Sequence, residues 1–86
     1  MTLKLRQEGV AWTDVDGEIV ALDEATAEYV AANEAGGLLW RALAKGTTRD
    51  ELAAQLVETF GIDPERAAAD TDAFLSTLRQ RDLLEG

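Results

Sequence analysis

Neither cysteine nor histidine occurs in the chain. Without a thiol there is no disulfide, no zinc–thiolate or iron–sulfur site, and no thiol nucleophile. Without an imidazole, the commonest general base and the commonest metal ligand are both missing. No apolar run is long enough to span a bilayer, and the N-terminus has no secretory hydrophobic region. Cations are also scarce: 8 Lys and Arg stand against 17 Asp and Glu, a formal charge of −9. Binding to nucleic acid relies on cations that release condensed counterions, so this balance argues against such a partner. It argues against anionic lipid for the same reason. Neutral or basic protein partners remain, in a cytoplasmic setting. The carboxylates fall mostly at turns, helix caps and polar helix faces, where solvation explains them. The expectation is a protein that is not an enzyme, with no metal and no cofactor.

What is present suits one modest core. Eighty-six residues, 47% of them apolar, are expected to form a single domain over residues 1–86. Met1 is expected to lie close to the natural start of the chain. Leu3-Lys4-Leu5-Arg6 alternates apolar and basic residues, as a short strand or a frayed arm does. Val10–Val15 is rich in β-branched and aromatic residues and reads as a strand. Asp16-Gly17 follows, then a second strand, Glu18–Leu22. Asp-Gly between two such runs suits a type I′ turn, whose central residues both need positive φ. A turn over Asp23–Thr26 leads into a third strand, Ala27–Ala32.

Helical signals take over at Asn33, an N-cap for a helix over Glu34–Lys45 that Gly46 ends. Thr48 with Glu51 three residues on reads as a capping box for the next helix. Leu52, Leu56, Val57 and Phe60 form its buried face, and Gly61 stops it. Asp63 as N-cap and Pro64 at the first helical position open a third helix. Its apolar stripe is Ala67, Thr71, Phe74, Leu75 and Leu78. Leu83-Leu84 is expected to fold back onto the core. The predicted fold class is α+β and winged-helix-like, a three-stranded antiparallel sheet followed by three helices.

Few constellations carry chemistry. Asp14-Val15-Asp16-Gly17 resembles the start of a calcium loop, but with Gly17 at the sixth position the first would be Trp12 and the twelfth Asp23. That register lacks the initial acid and the final bidentate Glu. Gly36-Gly37 matches no phosphate-binding motif. Each helix-interior glycine costs about 1 kcal/mol relative to alanine, so two in one turn imply that the sheet or the third helix presses on the backbone there. Trp40 reads as core. Tyr29 and Val30 point to opposite faces of their strand, Val30 inward and Tyr29 toward a contact surface. The strand Ala27–Ala32 is last in its sheet and carries only Glu28 as charge. An edge so lightly protected invites another strand.

The pattern as a whole resembles a known family. Trp12 lies near the Asp16-Gly17 hairpin, followed by E-I-V-A-L, then Tyr29, Asn33, Gly37 and Trp40. Thr48-x-x-Glu51-Leu52, Phe74-Leu75-x-x-Leu78 and Leu83-Leu84 complete it. This order and spacing, from Val10 onward, is similar to the PqqD-like family, the small winged-helix-type RiPP recognition elements. Ala32 departs from it, since the family often has a larger aliphatic residue before the Asn.

The resemblance implies a non-catalytic adaptor. In the family, the leader of a ribosomally made precursor peptide adds to the third strand as an antiparallel strand, in the cleft against the third helix. The implied peptide-binding residues are Glu28, Tyr29, Val30, Ala31 and Ala32 on the strand. On the third helix they are Thr71, Phe74, Leu75 and Leu78, with Asp70 at the rim for a leader cation. Freestanding members deliver precursors to a leader peptidase, and then a cyclase, in lasso-peptide pathways, or act in pyrroloquinoline-quinone synthesis. The acidic, alanine-rich chain looks more like a lasso-pathway partner, whose leaders carry a Tyr and a Pro. A winged-helix DNA-binding regulator is the remaining alternative, with only Arg79 and Arg81 in its favour.

Overall fold

The computed structural model describes residues 2–85. The N-terminal part is a meander of β2 (Val10–Val15), β3 (Glu18–Asp23) and β4 (Glu28–Ala32), in that spatial order and antiparallel throughout. Asp16 (φ 55°) and Gly17 (φ 88°) supply the two positive φ angles that the β2–β3 turn demands. Gly17 N–H also donates to Asp14 Oδ1 at 2.8 Å. The third strand starts one residue later than expected. Ala27 adopts φ 59° and belongs to the preceding turn, so the strand proper begins at Glu28.

Helices α1 (Glu34–Lys45), α2 (Arg49–Phe60) and α3 (Pro64–Gln80) follow. Asn33 Oδ1 accepts from Gly36 N–H, and Thr48 Oγ1 accepts from Glu51 N–H, so both predicted caps form. The capping box is only half made, because the Glu51 carboxylate takes the Thr47 hydroxyl at 3.0 Å. Gly61 ends α2 in the left-handed region at φ 65°. Asp63 takes the extended backbone of an N-cap, but its side chain makes no capping bond. Pro64 at the first helical position, having no N–H to satisfy, helps to start α3 without it.

The N-terminal Lys4–Leu5 (β1) pairs with Leu84–Glu85 (β5), and Leu3 bridges to Thr47. This ties both ends of the chain to the helical layer. Leu3, Leu5 and Leu83 thereby join Ile19, Ala21, Trp40, Leu43, Leu52, Leu56, Leu75 and Leu78 in one buried core. Phe60, expected on the buried face of α2, is 39% exposed. It is the last residue of α2 and lines an open apolar cavity instead. No described helix is long and apolar enough to cross a membrane.

Candidate functional site

β4 is the outer strand on the side of α3, and among the described residues no further strand pairs with it. Its register against β3 sets which way each side chain points. Glu28, Val30 and Ala32 lie opposite Asp23, Ala21 and Ile19, all three buried. Cross-strand partners share a face, so Glu28, Val30 and Ala32 point to the helical side. Tyr29 and Ala31 point to the other side, and Tyr29 is 70% exposed. They offer the free edge their backbone rather than their side chains.

α3 runs beside this edge and leaves room for a chain. One cavity of about 550 Å³ has Asn33, Ala35 and Gly36 on one wall, Arg66, Asp70, Ala73, Phe74 and Thr77 on the other, and Leu39, Leu56, Phe60 and Ile62 between them. A second, of about 500 Å³, lies where β4 begins, lined by Thr26, Glu28, Val30, Gln80, Arg81 and Asp82 with Asp23 and Leu83. Residues 66, 70, 73, 77 and 80 recur at helical spacing, so a single face of α3 walls both. The first cavity is mainly apolar, and the second, the charged one, has four charged residues among its eight.

The paired glycines explain how the first cavity keeps its depth. A Cβ on Gly36 would come within 3.0 Å of Ala32 Cβ and 3.3 Å of Phe74 Cε1. Phe74 therefore rests on bare backbone at the start of α1. A Cβ on Gly37 would collide with the Gly17 carbonyl of the β2–β3 turn. Sheet and third helix both press on this turn of α1, as two adjacent glycines imply.

An exposed ion pair spans the mouth of the charged cavity. Arg81 Nη1, at the end of α3, lies 3.7 Å from Glu28 Oε2, at the start of β4. Arg6 approaches Asp23 at 3.1 Å and Asp82 at 3.5 Å.

The ten residues assigned to peptide binding thus divide. Glu28 and Val30 line the charged cavity, and Asp70 and Phe74 the apolar one. Ala32 packs beside Gly36 and Phe74 at the end of the strand. Thr71, Leu75 and Leu78 are at most 2% exposed and line neither cavity. They hold α3 against the core and position the wall. Asp70, at the rim, pairs with Arg66 at 3.6 Å. Sequence reasoning missed Gly36, Phe60, Ile62, Ala73 and Thr77, together with the Glu28–Arg81 pair. Ala73 and Thr77 were recoverable, since they continue the helical face that includes Asp70 and Phe74.

The sheet has a second outer edge, on β2. There Trp12 meets Trp40 edge-on with centroids 6.2 Å apart, and Asp14 is held by Arg41 at 2.8 Å. β4 carries a carboxylate as well, Glu28, and a cavity of about 510 Å³ lies by β2 too, beside Trp12, Leu38 and Arg41.

A winged-helix-like α+β domain with an edge strand beside a helix-walled trough is the class that this fold defines. The model for coenzyme PQQ synthesis protein D (PqqD) matches residues 18–84, and the chain belongs to that family. Two solved structures share its fold. "TbiB1 in Complex with the TbiA(beta) Leader Peptide" is 26% identical, with a TM-score of 0.87 over 96% of this chain and 95% of that one. "Lasso peptide synthetase B1 complexed with the leader peptide" is 21% identical, with a TM-score of 0.84 over 98% of each chain. No curated protein matches the sequence.

Proposed function

We propose that this chain is a non-catalytic, single-domain adaptor of the cytoplasm. It binds the leader of a ribosomally made precursor peptide as a fourth, antiparallel strand on β4. The observation that carries this reading is the unpaired β4 edge facing a trough walled by α3. The leader complex of TbiB1, a chain of the same fold at 26% identity, supports it.

The energetics require both the edge and the trough. Ordering each guest residue costs about 1–2 kcal/mol of backbone entropy. A strand-pairing hydrogen bond returns a net of roughly 0.5–1.5 kcal/mol. Pairing alone therefore falls short, and buried side chains must add about 1.5–3 kcal/mol each. The apolar cavity beside Phe74 is the place for such an anchor.

The bound leader is then presented to maturation enzymes, a leader peptidase and after it a cyclase. The outer face of the sheet stays accessible when the edge is filled. Val15 and Val20 are exposed there beside Tyr29, and Glu18 is the one charged side chain among the outward residues of the three strands. Continuous with the edge and nearly free of charge, this face suits a peptidase with an apolar docking surface. The acidic composition, with a net charge of −9, inclines the pathway to lasso-peptide maturation. Synthesis of the quinone cofactor, which the family's description names, is the second reading. DNA reading is disfavoured because α3 carries Glu65, Asp70 and Asp72 beside Arg66 and Arg79.

Fluorescence polarisation with a labelled lasso-precursor leader peptide tests the proposal. Ala31→Pro, which removes an outward N–H without cutting the β3 ladder, is expected to weaken binding strongly while helicity by circular dichroism survives. Full binding by a folded Ala31→Pro protein would rule out strand addition here.

A further inference from the structure

The charged end of the trough bears on which peptides the edge accepts, given the strand-addition reading above. β4 runs from the charged cavity at Glu28 to the apolar one beyond Ala32. An antiparallel guest runs the other way, and so enters at the apolar cavity and leaves at the charged one. Cross-strand partners share a face. The guest residue opposite Ala32 therefore points toward Phe74, and the one opposite Glu28 points between Glu28 and Arg81. Glu28 and Ala32 are four positions apart, so the same spacing separates those two guest residues.

The pair at that mouth is easily parted. Its atoms are 3.7 Å apart, and the two side chains are 43% and 64% exposed, which makes the bridge weak. The mouth holds three carboxylates, Asp23, Glu28 and Asp82, against the guanidinium groups of Arg6 and Arg81. A guest cation evens that count and takes Glu28 as a cross-strand partner. A guest carboxylate widens the excess, in a chain already at −9.

We propose that Glu28, gated by Arg81, selects guests carrying Lys or Arg four residues after the side chain that fills the apolar cavity. Glu28 is thus a specificity-determining residue, and Arg81 competes with the guest for it.

A library of random 14-residue peptides, selected by mRNA display on the immobilised protein, tests this without knowledge of the precursor. Enriched peptides are expected to show an aliphatic or aromatic residue followed four positions later by Lys or Arg. Resynthesised with Glu in place of that cation, they are expected to bind roughly fivefold more weakly. In Glu28→Gln the contrast between cation and Glu collapses while the apolar requirement stays. In Arg81→Gln the contrast grows. Glu58→Gln makes the same charge change as Glu28→Gln on an α2 residue that lines neither cavity, and is expected to leave the contrast intact. Absence of a cation preference overturns the proposal, as does a contrast that survives Glu28→Gln or falls equally in Glu58→Gln. Strand addition is read out separately. If N-methylation at each alternate guest residue leaves binding unchanged, the edge is not used at all and this selectivity falls with it.

Discussion

Gly37 and Thr71 show how single residues set the limits of this fold. A methyl group at position 37 has no space, because the Gly17 carbonyl occupies its place. Gly37→Ala is expected to destabilise the protein by roughly 1–3 kcal/mol, despite alanine's better helix propensity, because rigid backbone must move. A shift of the urea midpoint to higher concentration would contradict this. Thr71 is fully buried, and its hydroxyl has no hydrogen-bond partner. An orphaned buried hydroxyl costs about 1–3 kcal/mol, and replacing it by a methyl group of similar shape removes the cost. Thr71→Val is thus expected to raise stability by about 1 kcal/mol in urea denaturation, with peptide binding unchanged because residue 71 lines neither cavity.

Among the elements, α3 has two tasks, and its two faces divide them. Ala67, Thr71, Leu75 and Leu78 anchor it, while Asp70, Phe74 and Thr77 face the trough. Its placement against α2 is reinforced by Arg49, which donates to both carboxylate oxygens of Asp72 through Nε and Nη2. Those hydrogen bonds hold the Asp72 carboxyl below the usual carboxylate range and push the Arg49 guanidinium up. For a carboxylate lowered in the folded state, the stabilisation is present above its unfolded pKa and is lost as pH falls through the folded one. Asp72→Asn is expected to lower Tm near neutral pH and to flatten its fall on the acid side. An unchanged acid limb would show that this exposed pair contributes nothing. The effect is small in either case, since both side chains are about half exposed.

For the whole molecule, the question is which of the two sheet edges takes the guest. Hydrogen exchange separates them. On adding leader peptide, the β4 amides that face the trough are expected to gain protection, while the outer amides of β2 keep their exchange rates. Protection confined to β2 would transfer the binding site to the Trp12 side. The same binding raises thermal stability by mass action, by about 2.7 kcal/mol at a hundredfold excess of leader over its Kd.

Much of this architecture is legible along the chain because it depends on local chemistry. Asp16-Gly17 specifies its turn, Asn33 and Thr48 cap their helices, and Gly61 and Pro64 punctuate theirs, since each acts on backbone within a few residues. Alternation along β4 likewise separated Val30 from Tyr29. Two local signals failed beside a competing neighbour one residue away. Glu51 turned to Thr47, and α3 started without help from the Asp63 side chain. The trough is the larger case. Its walls come from β4, α1, α2 and α3, and its ionic mouth joins residues 28 and 81. Periodicity says which face of a helix is apolar but not how far it stands from a strand. That distance is set by the packing of Phe74 on a bare glycine and by the core beneath α3, and only the folded chain decides it.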